Sequence, residues 1–383
     1  MMSEATQIET NADGAGLYMA MELAVRTWKL LFATTAGGRR ERSVPARDLG
    51  KLFAEIAAAK RRFGQPPHAR VISCYEAGRD GFWLDRALRA NGIENLVVDS
   101  SSIEVPRRAR RRKTDRIDLV KLMALLLRWA DGERKAWSVV RVPSPEAEDV
   151  RQLSRAIERL KAERGRHRTR IQALLATQGI RLVCIGGAQW PKRVAALRTW
   201  DGRPLGCWLQ SDLVLEGARL AQVEAQLKAL KEQRDALVAT SNAPAAVKAR
   251  RLAALGAIAA ESSFVFATEL FGWRTFATRR ELAGAVGLTG TPWRTGDTVR
   301  DQGLSKAGNR RMRTMLVEIA WCWLRYQPDS ALARWWRARF ANAGGRTRKV
   351  AIVALARKLL VALWRYLDHG VIPDGAILKT RPA

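Results

Sequence analysis

The chain has 383 residues, with 67 Lys and Arg against 37 Asp and Glu, and its formal net charge is +30. Such a charge predicts a nucleic-acid partner, because each phosphate contact releases counterions. The sequence contains no apolar run of about 18 residues, so we expect no membrane-spanning helix. The polar N-terminus is unlike a signal peptide and the four cysteines are widely spaced, which favours a reducing, cytoplasmic location.

The first third of the chain has the pattern of an α/β domain. The predicted elements are strands over 17–24 and 28–33, a turn over 36–43, a helix over 44–63, a strand over 71–75, a helix near 82–90, a strand over 95–99 and a helix over 115–129. Hairpin strands followed by strands alternating with helices predict a mixed sheet covered by helices.

Acidic residues stand at the ends of these elements. Glu22 ends the first strand, Glu76 ends the buried strand, and Asp115 and Asp118 open the last helix. Side chains at strand ends converge in open α/β sheets, and four carboxylates together would need hard cations such as Mg²⁺ or Mn²⁺. Two such ions can support phosphoryl chemistry. Alternatively, Glu22 faces solvent from an edge strand, Glu76 caps the following helix, and the solvated aspartates favour the positive N-terminus of a helix.

A dense basic run precedes the two aspartates. We expect its members to contact nucleic-acid phosphates; they are Arg107, Arg108, Arg110, Arg111, Arg112 and Lys113.

The middle of the chain has helical spacing over 144–177 and 213–240, with Glu and Lys filling the positions between the leucines. This pattern predicts an antiparallel helical hairpin of coiled-coil type. Such a hairpin could serve dimerisation or could pack only within one chain.

The segment 287–313 is rich in hydroxyls, glycines and arginines. A hydroxyl in this setting could attack phosphorus, or the segment could bind phosphate without chemistry. The cations expected to bind nucleic acid here are Lys306, Arg310, Arg311 and Arg313. Tryptophans follow among further arginines, and we expect most of them in a helical core, with Trp335 or Trp336 exposed.

With Glu22, the 75–78 turn, the 113–118 run and the 287–313 segment in this order, the chain resembles the insertion-sequence-110 family of transposases, the 116/110/902 type. The resemblance spans about Leu17 to Gly370. It implies an RNase H-like (RuvC-like) N-terminal α/β domain with a metal-binding acidic tetrad. It further implies a helical coiled-coil arm and a mainly α C-terminal transposase domain that supplies a serine nucleophile.

Members of this family recombine double-stranded DNA, and some are guided by an RNA from their own element. Synapsis of two duplexes implies a homodimer or homotetramer. The implied domains are a flexible N-terminus (1–16), the RuvC-like domain (17–135), the arm (136–245), the transposase domain (246–372) and a tail (373–383).

The chain departs from the family pattern at two positions. Glu22 stands where the first acid is usually Asp, and Thr295 stands before Gly296 where a serine is expected. The extra methyl of threonine restricts its side chain. The expected nucleophile is therefore Thr295, with Ser305 as the alternative and an inactive copy as a third reading.

Two other functions remain open from the sequence. A RuvC-like, structure-specific DNA nuclease would use the acidic tetrad and water, with no hydroxyl nucleophile. A nucleic-acid-binding protein without catalysis would need neither.

Overall fold

The computed structural model describes residues 16–103, 115–295 and 298–379. The chain divides into two compact units, one up to Val142 and one from Pro143 onward. Hydrophobic clusters form within each unit. In the described ranges, no helix has both the length and the apolar character that crossing a membrane requires.

The first unit is built on a five-stranded sheet with the strand order β3-β2-β1-β4-β5. Its elements are β1 (Leu17–Leu23), β2 (Thr27–Ala33), β3 (Arg39–Pro45), α1 (Leu49–Arg62), β4 (Val71–Glu76), α2 (Trp83–Ala90), β5 (Glu94–Val98) and α3 (Asp115–Ala130). β1, β2 and β3 pair antiparallel, and β4 and β5 extend the sheet in parallel from β1. The predicted mixed α/β fold is confirmed at this level.

Each face of the sheet carries its own core, because successive residues of a strand point to opposite faces. Met19 and Met21 belong to one cluster, with Leu52 of α1. Ala20 and Cys74 belong to the other, with Leu122 of α3.

β3 was predicted as a turn, and this prediction is wrong. The segment forms an edge strand in which only one of seven residues is buried, so it lacks the apolar run that marks a buried strand. Charged side chains suit an edge strand because they discourage pairing with other chains. Arg40 donates to Glu55 of α1 at 2.7 Å. The following helix begins at Leu49, not near residue 44, because Asp48 caps it.

The second unit is mainly helical. Its elements are α4 (Pro145–Ala176), α5 (Trp190–Ala196), α6 (Cys207–Thr240), α7 (Pro244–Ala253), α8 (Ala260–Phe266), a π-helical turn (Ala267–Phe271), α9 (Arg279–Ala285), β6 (Gly290–Thr295), β7 (Thr298–Leu304), α10 (Arg310–Tyr326), α11 (Ala331–Phe340) and α12 (Gly345–His369). β6 and β7 form an antiparallel hairpin.

α4 and α6 form the predicted helical hairpin. Arg168 lies 3.5 Å from Glu224 and Arg170 lies 3.0 Å from Glu216, so later residues of α4 meet earlier residues of α6 and the helices run antiparallel. The coiled-coil character of this arm and its role in dimerisation stay predictions.

Glu216 is a buried carboxylate inside this arm. Its side chain is 1% exposed, and it accepts from His167 at 2.7 Å, Arg170 at 3.0 Å and Arg219 at 2.6 Å. Burial alone would raise its pKa, but these three hydrogen bonds lower the pKa from 4.5 to about 2. The charged form of Glu216 therefore stabilises the folded arm.

We predict a pH-dependent loss of stability for Glu216→Gln. A carboxylate whose pKa falls on folding contributes stability above its unfolded pKa of 4.5, and that contribution disappears as the pH falls toward about 2. The variant should be less stable than the parent at pH 7, and the difference should shrink below pH 4.5. Urea unfolding at several pH values measures it; a difference that stays constant down to pH 2 would contradict the prediction.

A second arm contact requires a glycine. A Cβ at Gly217 of α6 would overlap the indole ring of Trp190, whose Nε1 donates to the carbonyl of Leu213 at 2.8 Å. Gly165 of α4 has open space around it.

These two helical glycines form a matched pair. We predict that Gly217→Ala destabilises the protein by about 1–3 kcal/mol through overpacking. Gly165→Ala should stabilise it by about 0.5–1 kcal/mol, because alanine favours a helix. Chemical denaturation of both variants checks the prediction, which fails if they shift stability in the same direction.

Candidate functional site

A cleft of about 200 Å³ opens where β1 and β4 end. Glu22, Glu76, Asp80 and Leu122 line it, together with other residues of the turn that follows β4, including Arg79. Two of the four predicted metal ligands therefore share one cleft.

The pairing of the two strands brings these glutamates together. β1 and β4 are parallel, with Met21 opposite Tyr75, so Glu22 and Glu76 follow as neighbours. By strand alternation they lie on the face that α3 covers. Glu22 is half-buried with its Oε2 atom shielded from solvent, whereas Glu76 is exposed.

The backbone of α3 relates positions 115 and 118 to the cleft. Leu122 lines the cleft, and Asp118 and Asp115 precede it by four and seven residues. Helical periodicity places all three positions on the same side of α3. The side chains of Asp115 and Asp118 lie outside the described residues, and the described side chains alone contain no group of three potential metal ligands.

Asp80 is a cleft residue that sequence reasoning missed. Its side chain is 7% exposed and lies 3.5 Å from the guanidinium of Arg47. An acid four residues after Glu76 in a glycine-containing turn was the available signal. Because Arg47 offsets its charge, Asp80 adds a carboxylate to the cleft with less repulsion than an unpaired acid would cause.

The two candidate nucleophiles stand at opposite ends of one hairpin. Thr295 pairs with Thr298 next to the hairpin tip, and Ser305 follows the last residue of β7. Seven residues of extended strand separate them, which corresponds to roughly 20 Å. One reacting phosphate therefore cannot meet both hydroxyls. Residues 296–297 and the side chain of Thr295 lie outside the described residues.

Ser305 sits in a tightly constrained loop. Its backbone N–H donates to the carbonyl of Thr289 at 2.9 Å, and the two hydroxyl oxygens lie 3.1 Å apart. Gly287 and Gly308 have φ values of +69° and +82°, and a Cβ at either would overlap backbone atoms. Arg313 donates to the carbonyl of Val286 at 3.0 Å. The glycines and Arg313 of this segment thus fix the loop itself.

The predicted nucleic-acid contacts of the second unit divide into two groups. Lys306 and Arg310 are exposed. Arg311 and Arg313 have protein partners, and Arg311 lies 2.6 Å from Glu158 and 3.2 Å from Glu269. Their role in nucleic-acid binding stays a prediction. The predicted nucleic-acid contacts of the first unit lie outside the described residues; they are Arg107, Arg108, Arg110, Arg111, Arg112 and Lys113.

Glu269 is a second buried carboxylate that the sequence did not reveal. Its side chain is 2% exposed and lies in the π-helical turn. Arg151 and Arg155 of α4 lie 3.4 Å and 3.0 Å from it, and Arg311 of α10 lies 3.2 Å away. Burial would raise the pKa of Glu269, but the hydrogen bond from Arg155 and the charges of the arginines keep it below its usual range.

Comparison with known proteins identifies the class of protein to which this site belongs. Residues 249–335, which include Thr295 and Ser305, match the model of the transposase IS116/IS110/IS902 family. "Putative transposase y4rJ" of Sinorhizobium fredii is 40% identical over 380 residues, covering 96% of each chain. "Putative transposase y4qE" of the same species is 31% identical over 349 residues, 82% of this chain and 80% of the relative.

A third relative is more distant. The "Transposase for insertion sequence element IS1533" of Leptospira borgpetersenii is 32% identical over 114 residues, 30% of this chain and 31% of the relative. The chain belongs to the IS116/IS110/IS902 family of transposases. It is accordingly an enzyme of DNA recombination, and DNA is its partner.

We predict that Glu269→Ala destabilises the protein by about 3–5 kcal/mol. Removing the carboxylate leaves three partly buried guanidinium groups without their shared counter-charge. Glu158→Ala removes a carboxylate that is 54% exposed and also contacts Arg311, so it should cost less than about 1 kcal/mol. Urea denaturation of the two variants makes the comparison, and equal losses would mean that Glu269 does not have this role.

Proposed function

We propose that this transposase cuts and exchanges DNA strands by metal-dependent chemistry, with an N-terminal domain of RNase H-like, RuvC-like fold. The sheet supports this fold, since three antiparallel strands are extended by two parallel ones and helices cover both faces. One observation carries the proposal: Glu22 and Glu76 end adjacent parallel strands and line one cleft with Leu122 of α3.

The donor set suits a hard cation. We propose that Glu22, Glu76, Asp115 and Asp118 hold Mg²⁺ or Mn²⁺, because carboxylate oxygens are the ligands these ions prefer. The longer side chain of Glu22, in place of Asp, can still reach such an ion. When bound, the ion would polarise a phosphodiester and favour loss of a proton from the attacking oxygen.

A hydroxyl of the β6–β7 hairpin is the proposed nucleophile. Its oxygen forms a bond to phosphorus and loses its proton, the bond from phosphorus to one sugar oxygen breaks, and that oxygen takes up a proton. The cut strand stays linked to the protein. We assign this role to Thr295, and the experiment below separates it from Ser305, which lies at the other end of the hairpin.

Further partners follow from the same proposal. A guide RNA from the element would add a second polyanion, which the net charge of +30 could accommodate. Synapsis of two duplexes would require a homodimer or homotetramer. The α4–α6 hairpin, acting as a coiled-coil arm, is the proposed dimerisation element.

A covalent protein–DNA adduct is the predicted signature of this chemistry. With the element's own ends, its flanking RNA and Mg²⁺, the parent protein should form an adduct on a denaturing gel. Thr295→Ala and Asp115→Ala should each abolish the adduct, and Ser305→Ala should retain it. Asp131→Ala is the matched control, because Asp131 is an exposed acid just beyond the other end of α3.

Other outcomes point to other functions. Loss in Ser305→Ala with retention in Thr295→Ala would transfer the role to Ser305. Cut ends without any adduct would favour a RuvC-like nuclease that uses water. Binding without cutting in every protein would leave a nucleic-acid-binding protein or an inactive copy.

A further inference from the structure

The last two helices carry an unbalanced positive charge. Residues 331–369 include nine Arg and Lys residues and one acid, Asp368. Asp368 is already paired with Lys248 at 3.2 Å. The cations of α11 and α12 are therefore not neutralised from within their own helices.

The first turns of α12 concentrate this charge. Residues 344–350 are all exposed, and the helical part of this stretch is about 9 Å long. Arg346, Arg348 and Lys349 lie here, no acid occupies the first turn, and Gly344 provides no side-chain cap. Among the described residues, no carboxylate lies within ion-pair distance of these three cations. Cations at the positive end of a helix are unfavourable unless an anion is present.

An aromatic cluster holds part of this charge in place. The guanidinium of Arg348 lies 5.6 Å from the ring centre of Trp336 and 5.9 Å from that of Trp321, which is 40% exposed. Trp335 has Lys358 at 4.7 Å and Arg339 at 5.5 Å from its ring. Cation–π contacts orient these side chains without neutralising them. In addition, Nε1 of the buried Trp336 has no hydrogen-bond partner among the described residues.

We propose that this surface, the α12 basic segment formed by Arg346, Arg348 and Lys349 beside the tryptophan cluster, binds double-stranded DNA. The inference rests on the proposed function and deepens it by naming a DNA-binding surface. The exposed first turns of α12 fit the major groove of B-DNA, whose width of about 12 Å matches a helix diameter of about 10–12 Å. The major groove of duplex RNA is too narrow for this contact.

The test is equilibrium binding of a short labelled DNA duplex to the full chain in EDTA, where no cutting occurs. The variant combines Arg346→Ala, Arg348→Ala and Lys349→Ala. Its matched control combines Arg166→Ala, Arg181→Ala and Lys192→Ala, three exposed cations at positions 166–192. Each set removes three positive charges. All six residues are at the surface, and unchanged thermal unfolding confirms that both proteins fold.

The α12 variant should bind DNA about tenfold more weakly or worse, and the slope of log K against log salt should fall by about 2.7, or 0.9 per lost phosphate contact. The control should change neither quantity to this extent. Equal weakening by both sets would indicate general electrostatics and overturn the proposal, as would an unchanged slope.

A duplex RNA of the same sequence separates the two nucleic acids. The α12 variant should lose little RNA affinity, and a loss equal to that for DNA would overturn the assignment to duplex DNA. Because the assay contains EDTA, it measures DNA binding alone and does not depend on the proposed metal chemistry. If no adduct forms but the α12 variant binds DNA more weakly than the parent, only the proposed chemistry is rejected. If the adduct forms but the α12 variant binds DNA like the parent, only the proposed surface is rejected.

Discussion

The second unit depends on one buried carboxylate, Glu269. A buried charge without partners is too costly to persist, so the folded state requires the arginines that surround it. Two of them come from α4, which lies more than 100 residues earlier in the chain than Glu269. The third comes from the start of α10, about 40 residues later than Glu269. A single ionic cluster thereby joins the arm, the π-helical turn and the helix that follows the Ser305 loop.

This cluster gives the glycine- and arginine-rich segment around Ser305 a structural explanation that does not require DNA. Asn309 caps α10 and also donates to Glu269, Arg313 closes onto Val286, and the loop glycines permit close backbone approach. A reacting hydroxyl benefits from such support, because small displacements of a nucleophile reduce the rate strongly. The described contacts provide such support at Ser305, whereas the side chain of Thr295 lies outside the described residues.

Periodicity predicted much of the fold, since the strands at Leu17, Thr27, Val71 and Glu94 are apolar and the long helices have regular leucine spacing. β3 was not predicted as a strand because this edge strand buries only one side chain and so has no apolar run in its sequence. Glu22 and Glu76 could be expected together once β1 and β4 were taken as parallel neighbours. The partners of Glu269 could not, because no local pattern encodes which distant arginines will surround a buried acid.

The cations of this transposase consequently have different uses that charge counting cannot separate. Arg151, Arg155 and Arg311 neutralise an internal carboxylate. Arg346 and Lys349 have no such partner among the described residues and remain available to a polyanion. The acids divide in the same way, between Glu216 and Glu269 in ionic clusters and Glu22 and Glu76 at an open cleft. DNA binding and DNA cutting would then depend on different residues. Substitutions could therefore abolish either activity and leave the other intact.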